Sequence, residues 1–409
     1  MGGDCDYHGE ESSLGQEISL LSSENPTFLR DNSSVEVEEG TPMREREIVP
    51  YKEVLLSYDE LRIRCKNLKE AKGTILSYNP GAWIETVGGL KLTDYDVPKT
   101  TSLILIGPRG SGKSSLVNRI SKVFEVDKFA SVRAQVSYNS SIGDGTYFLQ
   151  EYMIPRDSTS ICLYDTRSLC DDSRENNKML KRWMTKGVHH GELVIRGSDS
   201  RSLRTTMKSK ALQCGYFSSE KRKVNFVILV VNGLSVRKSM ENVCDLEMQY
   251  STMVASTFNC PYLSFRDDKP VIVVTHGDLL SLSDRARVRA YLGELLGVPP
   301  TKQIFDIPEC DSPVTELAII DMLRYSLEHA DKSLPQKKWF IDKVYKLWLS
   351  LCIVLVILGI TVASAHERFR HTYNSPQVCT ENNRATTPKP EGSLQMKPHR
   401  EWHEIRYIW

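Results

Sequence analysis

Short apolar segments alternate along this chain with longer stretches whose apolar residues recur at helical spacing. Each short segment predicts a strand, at residues 103–106, 147–154, 160–164, 224–231, 270–274 and 303–307. Two of them, 224–231 and 270–274, are continuous apolar runs, which is typical of central parallel strands buried on both faces. Strands that alternate with helices predict an α/β domain with a mostly parallel sheet and helices on both faces.

Helical spacing and capping signals mark four helices in the same part of the chain. Three cover residues 51–68, 113–124 and 282–296, and a fourth begins with Ser312 as its cap and Pro313 in its first turn. Pro50 fits the first turn of the earliest helix. We expect the apolar face of that helix to pack on the domain, although it could instead pair with a second copy.

A glycine-rich loop lies between the predicted strand 103–106 and the predicted helix 113–124. Strand, loop and helix in this order, with the pattern G-x-x-x-x-G-K-S, predict a phosphate-binding loop. Backbone N–H groups and the helix N-terminus bind phosphate oxygens in such loops, while Lys113 reaches the outer phosphates and Ser114 presents its hydroxyl to Mg²⁺. The predicted nucleotide-binding residues here are Gly107, Pro108, Arg109, Gly110, Ser111, Gly112, Lys113, Ser114 and Ser115.

A carboxylate follows the predicted strand 160–164 directly. Asp165 stands where a P-loop protein places the acid that supports Mg²⁺, so Ser114 and Asp165 are the predicted metal site. The sequence from Asp165 to Ser168 resembles the D-x-x-G turn of small GTPases, with Ser168 in place of the glycine that senses the γ-phosphate.

A second polar turn, Thr275-His276-Gly277-Asp278, follows the predicted strand 270–274. It resembles the N/T-K-x-D turn with which GTPases read guanine. The aspartate of that turn accepts hydrogen bonds from the guanine ring N–H and amino group, a donor pair that adenine lacks. His276 replaces the usual lysine. The predicted base-binding residues are therefore Thr275, His276 and Asp278, with GTP as the expected ligand and ATP as the alternative.

Hydrolysis needs a group that orients water or adds positive charge, and the sequence supplies no glutamine after the Asp165 turn. Leu169 follows Ser168, and an apolar side chain cannot orient water. The polar or charged candidates are Arg109, Ser140, Ser141 and Thr146, and one of the last three is a candidate to close over Mg²⁺. We expect the Arg109 side chain to point to solvent. Turnover is therefore expected to be slow in one domain and faster when two nucleotide domains meet in a homodimer.

An uncharged apolar run of 19 residues occupies positions 347–365. As a helix it is about 29 Å long, which matches the hydrocarbon core of a bilayer and predicts one transmembrane helix. No secretory signal is expected at the N-terminus, and the ten cysteines are scattered without metal-ligand spacing. Lysines precede the run. We therefore expect a single-pass membrane protein whose nucleotide domain faces the cytosol, in an organelle that the sequence does not name.

Composition divides the rest of the chain. The predicted segments are a disordered acidic tail (1–47), an N-terminal helix with its lead-in (48–95), the nucleotide domain (96–334), a basic linker (335–346) and a C-terminal tail (366–409). Within the nucleotide domain, residues 168–223 carry more lysine and arginine than aspartate and glutamate and are predicted to be a basic insertion. His189 and His190 in it are expected to be an exposed pair rather than metal ligands.

The order of phosphate loop, Asp165 turn and Thr275 turn resembles the translation-factor-related class of GTPases. Within that class, the stretch from Leu103 through the switch region is similar to the interferon-induced GTPase-like group and to its plant relatives, the plant P-loop nucleoside triphosphate hydrolase superfamily proteins. The segments most similar to the plant proteins are 189–193, 232–235, 275–278 and 401–406. The resemblance covers about residues 51–409, and it implies a G-domain-like P-loop NTPase fold and a guanine nucleotide with Mg²⁺.

These features predict a membrane-anchored GTP-binding switch that is a slow GTPase. Two alternatives stay open: a pseudo-GTPase that holds nucleotide and uses the basic insertion for docking, and a P-loop ATPase. The expected partners are the nucleotide, the lipid bilayer and a second copy of the nucleotide domain. No specific nucleic-acid partner is expected.

Overall fold

The computed structural model of the chain describes residues 45–125, 131–136, 146–213, 220–241, 245–265 and 268–373. Contacts divide it into two units, one that ends at Phe340 and one that begins at Ile341. The first unit contains the sheet and is called the body below. The second contains most of the C-terminal helix.

Six strands form one sheet in the body. Their bounds are β1 Thr101–Ile106, β2 Gln150–Ile154, β3 Ile161–Asp165, β4 Phe226–Asn232, β5 Val271–Thr275 and β6 Ile304–Asp306. The order across the sheet is β2-β3-β1-β4-β5-β6, and every neighbouring pair is parallel except β2 with β3. The prediction of an α/β fold with a mostly parallel sheet is confirmed.

Alternation along the strands directs side chains into two apolar layers. Leu103 and Leu105 of β1 belong to one layer, and Ile104 and Ile106 belong to the other. Successive residues of a strand point to opposite faces, so a strand with a layer on each face needs an apolar residue at every position. Strands β1, β3 and β5 are buried along their whole length, which explains the continuous apolar run at 271–274.

Ten α-helices lie in the described part of the chain. They are α1 Glu45–Arg64, α2 Leu68–Leu76, α3 Lys113–Phe124, α4 Ser173–Lys186, α5 Arg201–Gln213, α6 Gly233–Met240, α7 Asp245–Phe258, α8 Leu282–Leu296, α9 Pro313–Lys332 and α10 Lys338–Tyr373. Helices α3 and α9 pack on one face of the sheet, while α4, α7 and α8 pack on the other. Both faces are therefore covered, as predicted.

Helix α1 begins at Glu45, six residues before the predicted start, and it continues through Pro50. Val54, Leu55 and Tyr58 are buried and pack against Ala286 of α8. The expected packing of this helix on the domain is thus observed.

Part of the predicted basic insertion belongs to the core. Leu180 and Trp183 of α4, followed by Val188 and Val194, are buried in the apolar layer that covers one face of the sheet. Helix α5 differs, because none of its residues is buried. The segment is therefore partly structural and partly exposed.

One helix in the described part of the chain is long and apolar enough to span a membrane. The 26-residue segment Lys343–Arg368 of α10 includes an 18-residue stretch with a mean hydropathy of 2.5, and the segment contains the predicted span 347–365. Its length as a helix is about 39 Å, more than the roughly 30 Å of a hydrocarbon core. The helix begins at Lys338, so nine of the twelve residues of the predicted linker 335–346 are helical.

Candidate functional site

The glycine-rich loop, residues 107–112, connects β1 to α3 and comes very close to β4. Gly110 and Gly112 have φ angles of 72° and 78°, in the left-handed region that favours glycine. A Cβ atom on Gly107 would lie 2.1 Å from the carbonyl oxygen of Val230. Both glycines of the pattern G-x-x-x-x-G therefore have a steric reason. Gly107 leaves no room for a Cβ atom, and Gly112 has a left-handed backbone conformation.

Lys113, the first residue of α3, is buried against this loop with 6 % of its surface exposed. Its Nζ donates to the carbonyl oxygens of Gly107 and Pro108, at 3.0 and 3.1 Å, and to Ser168 Oγ at 3.2 Å. A phosphate oxygen is a stronger acceptor for an ammonium group than a carbonyl or a hydroxyl. The Lys113 ammonium group is therefore placed where it could bind an anion held by the loop.

Ser114 and Asp165 lie in direct contact. The Ser114 hydroxyl donates to Asp165 Oδ2 at 2.6 Å, and the Thr146 hydroxyl lies 3.5 Å from the same oxygen. Asp165 is 2 % exposed, and its Oδ1 has no hydrogen-bond partner among the described residues. Burial raises the pKa of Asp165, while the Ser114 hydroxyl and the Lys113 ammonium act in the opposite direction.

An unpartnered buried carboxylate oxygen beside a hydroxyl fits a hard divalent cation. Mg²⁺ takes oxygen ligands and is usually held by one or two carboxylates together with phosphate oxygens. The predicted ligands Ser114 and Asp165 are brought together by the structure, and Thr146 joins them. Thr146 is one of the three polar residues that the sequence offered as candidates to close over Mg²⁺.

The turn after β3 is fixed against the glycine-rich loop. The Leu169 N–H donates to the Gly107 carbonyl oxygen at 2.9 Å, and the Leu169 side chain is buried. Arg167 is also buried and forms a two-pronged ion pair with Asp199, with N···O distances of 2.7 and 2.6 Å. The turn thus has structural contacts on both sides, and its buried leucine cannot orient a water molecule.

The second polar turn meets the loop from the other side. Thr275 Oγ1 lies 2.9 Å from the carbonyl oxygen of Ser111 and 2.9 Å from His276 Nδ1. His276 has a φ of 58° and is the one non-glycine residue in the described part of the chain with a positive φ. Such a conformation costs free energy and is often associated with functional sites.

A small open cavity of about 30 Å³ separates this turn from α3. We call it the base pocket after the base-binding role that the sequence predicts for Thr275 and His276. Its lining residues are Gly112, Ser115, Leu116, Arg119, Thr275, His276, Ile307 and Glu309. Asp278 is exposed and is not part of the lining, but its Oδ1 accepts the Glu309 N–H at 2.9 Å. Leu116, Arg119, Ile307 and Glu309 were not predicted as lining residues. Ile307 and Glu309 come beside the turn only because folding pairs β6 with β5.

Other predicted candidates lie elsewhere. Arg109 is exposed, and Ser140 and Ser141 lie outside the described residues. His189 and His190 are half-buried rather than exposed, and His190 Nδ1 accepts the Glu151 N–H at 3.1 Å. Burial lowers the pKa of His190. No cluster of three or more histidine, cysteine or acidic residues suited to a metal occurs in the described part of the chain.

No protein-family model matches this chain, and no curated protein matches it either. The function must therefore be argued from the geometry of the site.

Proposed function

We propose that this chain is a membrane-anchored guanine-nucleotide-binding protein that acts as a switch and hydrolyses GTP slowly. One observation carries the proposal. The Asp165 turn and the Thr275 turn are far from the glycine-rich loop in sequence. Each nevertheless forms a hydrogen bond with the loop or with α3, the helix that follows it. All three follow parallel strands and so lie at the carboxyl ends of these strands, where α/β sheets bind ligands.

The phosphate end of the site would use the loop and α3. The N-terminus of α3 provides backbone N–H groups and a favourable dipole for an anion. Lys113 would exchange its carbonyl partners for phosphate oxygens. Ser114 and Asp165 would hold Mg²⁺, which supplies positive charge that neutralises the phosphates.

The base end of the site would be the base pocket. Its wall contains Thr275 and His276, and Asp278 stands beside it with one carboxylate oxygen on the Glu309 N–H. The other oxygen is the acceptor that guanine would use. Because adenine lacks the matching donors, GTP is proposed over ATP.

Slow turnover follows from the turn after β3. The buried, apolar Leu169 occupies the position where GTPases place their water-orienting glutamine. A second copy could complete the site, and the rate per molecule should then rise with protein concentration. The pseudo-GTPase alternative, in which the exposed basic helix α5 docks a partner, predicts no turnover at any concentration.

Equilibrium binding to the full chain in detergent micelles tests the proposal. Fluorescently labelled GTP should bind in the presence of Mg²⁺ and should be displaced by GTP far better than by ATP. Lys113→Ala should weaken binding by about 100-fold or more, because charge-assisted hydrogen bonds contribute roughly 1.5–3 kcal/mol each. Arg109→Ala is the matched control, since it removes an exposed cation from the same loop.

Three other outcomes would each change the conclusion. Equal weakening by Lys113→Ala and Arg109→Ala would mean that loop charge in general, and not the buried lysine, carries binding. Preferential displacement by ATP would favour the ATPase alternative. Absence of binding by the parent chain would overturn the proposal.

A further inference from the structure

Beside the base pocket, a buried polar network joins helix α1 to α8 and β6. The Tyr58 hydroxyl of α1 donates to Asp306 Oδ2 at 2.7 Å, and Arg285 Nε of α8 donates to the same oxygen at 2.7 Å. The Asp306 side chain is 1 % exposed and stands at the end of β6. The network therefore fixes α1, α8 and β6 to one another.

The same network touches both segments that wall the base pocket. Gly277 follows His276 in the Thr275 turn, and a Cβ atom there would lie 2.7 Å from Asp306 Oδ1 and 3.2 Å from Arg285 Nε. On the other side, the chain continues from Asp306 directly into Ile307, which lines the pocket. A displacement of the Asp306 carboxylate would therefore move both the Thr275 turn and the segment after β6 that contains Ile307.

Tyr58 is held firmly in this position. The guanidinium carbons of Arg285 and Arg289 lie 5.4 and 5.0 Å from the centre of its ring, within cation–π range. Burial raises the pKa of Tyr58, and the Asp306 carboxylate raises it further, so the phenol stays protonated and remains a donor. The side chain thus couples α1 to the pocket by a hydrogen bond and by packing.

We propose that Tyr58 is a positioning residue for the base pocket, and that α1 thereby controls how long a nucleotide stays bound. This inference rests on the proposed function. Tyr58 does not line the pocket, so it acts through Asp306 and Gly277. A force or partner that draws α1 away from α8 removes the Tyr58 hydroxyl from Asp306, loosens both walls and releases the nucleotide.

The test compares two phenol-to-phenyl changes on the same helix. Tyr58→Phe removes the hydroxyl that reaches Asp306, whereas Tyr51→Phe removes one that lies 3.0 Å from Ser283 Oγ at the same α1 and α8 interface. Release of fluorescently labelled GDP from the full chain in micelles should be about tenfold faster in Tyr58→Phe, because a hydrogen bond to a charged group is worth roughly that factor or more. Tyr51→Phe should release GDP at the parent rate.

A second measurement separates positioning of the base from general loosening. Inorganic tripolyphosphate carries no base, so its affinity should be the same for Tyr58→Phe and for the parent chain. Gly277→Ala disturbs Asp306 from the turn and leaves α1 intact, and it should also release GDP faster. It serves as the second variant if Tyr58→Phe does not fold.

The outcomes are distinguishable. Equal acceleration by Tyr51→Phe and Tyr58→Phe, or equal weakening of GDP and tripolyphosphate, would show that α1 acts only through overall stability and would overturn the inference. Unchanged GDP release in both Tyr58→Phe and Gly277→Ala would also overturn it. A parent chain that binds tripolyphosphate and no GDP would overturn the proposed base pocket, and one that binds neither would overturn the proposed function.

Discussion

Asp278 has two tasks in the proposed site, and a single substitution separates them. One carboxylate oxygen accepts the Glu309 N–H, and the other is exposed beside the base pocket. Asp278→Asn keeps an oxygen for Glu309 but replaces one acceptor by a donor, which opposes the guanine ring N–H and amino group. We expect GTP affinity to fall by at least about tenfold, since an unpaired polar group costs roughly 1–3 kcal/mol.

Displacement of labelled GTP by GTP, ATP and XTP measures this effect. XTP, whose ring presents the complementary groups, should be favoured relative to GTP in Asp278→Asn. Asp96→Asn makes the same charge change at an exposed position away from the site and should leave the order of the three nucleotides unaltered. An unchanged GTP preference in Asp278→Asn would place the base-reading role elsewhere.

Asp268 illustrates a side chain whose charge stabilises the fold away from the site. It lies 2.9 Å from Lys332 Nζ and 3.1 Å from His329 Nδ1, both on α9. Partial burial acts to raise its pKa, but the interactions with these two partners together outweigh burial and hold the pKa below its ordinary value of 3.8. Because the pKa of Asp268 is lower in the folded state than in the unfolded state, its ionised side chain stabilises the fold fully above pH 3.8. This stabilisation is lost as the pH falls through the lower, folded-state pKa.

Asp268→Asn should therefore lower the Tm at neutral pH by about 2–4 °C, which corresponds to roughly 1 kcal/mol after allowance for the half-exposed lysine. Thermal unfolding of parent and variant between pH 7 and pH 3 checks this. The difference in Tm should shrink as the pH falls below about 4. Asp96→Asn changes an exposed aspartate and is the control. A gap that persists at pH 3 would show that packing, not charge, is lost.

Sequence spacing located those site residues that belong to continuous motifs. Gly107, Lys113 and Ser114 follow one another within a pattern, and Asp165 is marked by the strand before it. The partners of these residues were not predictable in the same way. Ser168 lies 55 positions from Lys113, and Tyr58 lies 248 positions from Asp306. Contacts at such separation depend on the packing of whole elements, which no local pattern encodes.

At the scale of elements, the best predictions are those in which two signals agree. The bounds of α3 and α8 match the predicted 113–124 and 282–296, and Ser312 caps α9 with an acceptor for the Thr315 N–H. Helix α1 was predicted too short, because Pro50 was interpreted as a first-turn residue although a proline can also stand further inside. Helix α6, which begins directly after β4, was not predicted.

Asn232 is the cap of α6 and also contacts the glycine-rich loop. Its Oδ1 accepts the Ser235 N–H at 3.2 Å, and its Nδ2 donates to the Gly110 carbonyl oxygen at 3.2 Å. Asn232→Ala removes both contacts. Loss of an N-cap costs about 1 kcal/mol, so the Tm should fall by roughly 2–4 °C for a body of this size.

Asn232→Asp provides the matched comparison, because aspartate keeps the cap acceptor and loses only the donor to Gly110. Its unfolding free energy, measured by urea titration, should stay within about 0.5 kcal/mol of the parent value. If the two variants were equally destabilised, the contact with the loop, and not the cap, would be the stabilising interaction.

At the scale of the whole molecule, the sheet and the long apolar helix α10 were both predictable, because each has a strong signal of its own. Apolar runs bounded by polar turns define buried parallel strands, and a long uncharged run defines α10. The role of residues 168–223 was harder to predict from composition. Lysines and arginines outnumber acidic residues in this segment. Part of it nevertheless packs in the core, because Leu180, Trp183 and Val188 are apolar and buried.

The orientation of α10 in a membrane is the last prediction. Five lysines lie in the twenty residues before the span 347–365, and three arginines lie in the twenty after it. Since positive residues favour the cytosolic side, we expect the body in the cytosol and the tail 366–409 on the far side. The natural tail has no N-x-S/T acceptor, but Ala385→Asn creates one with Thr386 and Thr387.

Expression of Ala385→Asn in cells tests the orientation if the helix inserts in the endoplasmic reticulum. The variant should gain one glycan, while the natural acceptor sequences at Asn32 and Asn139 should stay unmodified because they face the cytosol. For any other organelle, protease added to sealed vesicles should digest the body and spare the tail. Glycans at Asn32 or Asn139, or digestion of the tail with a protected body, would reverse the orientation. Release of the chain by alkaline carbonate would show that α10 does not cross a membrane.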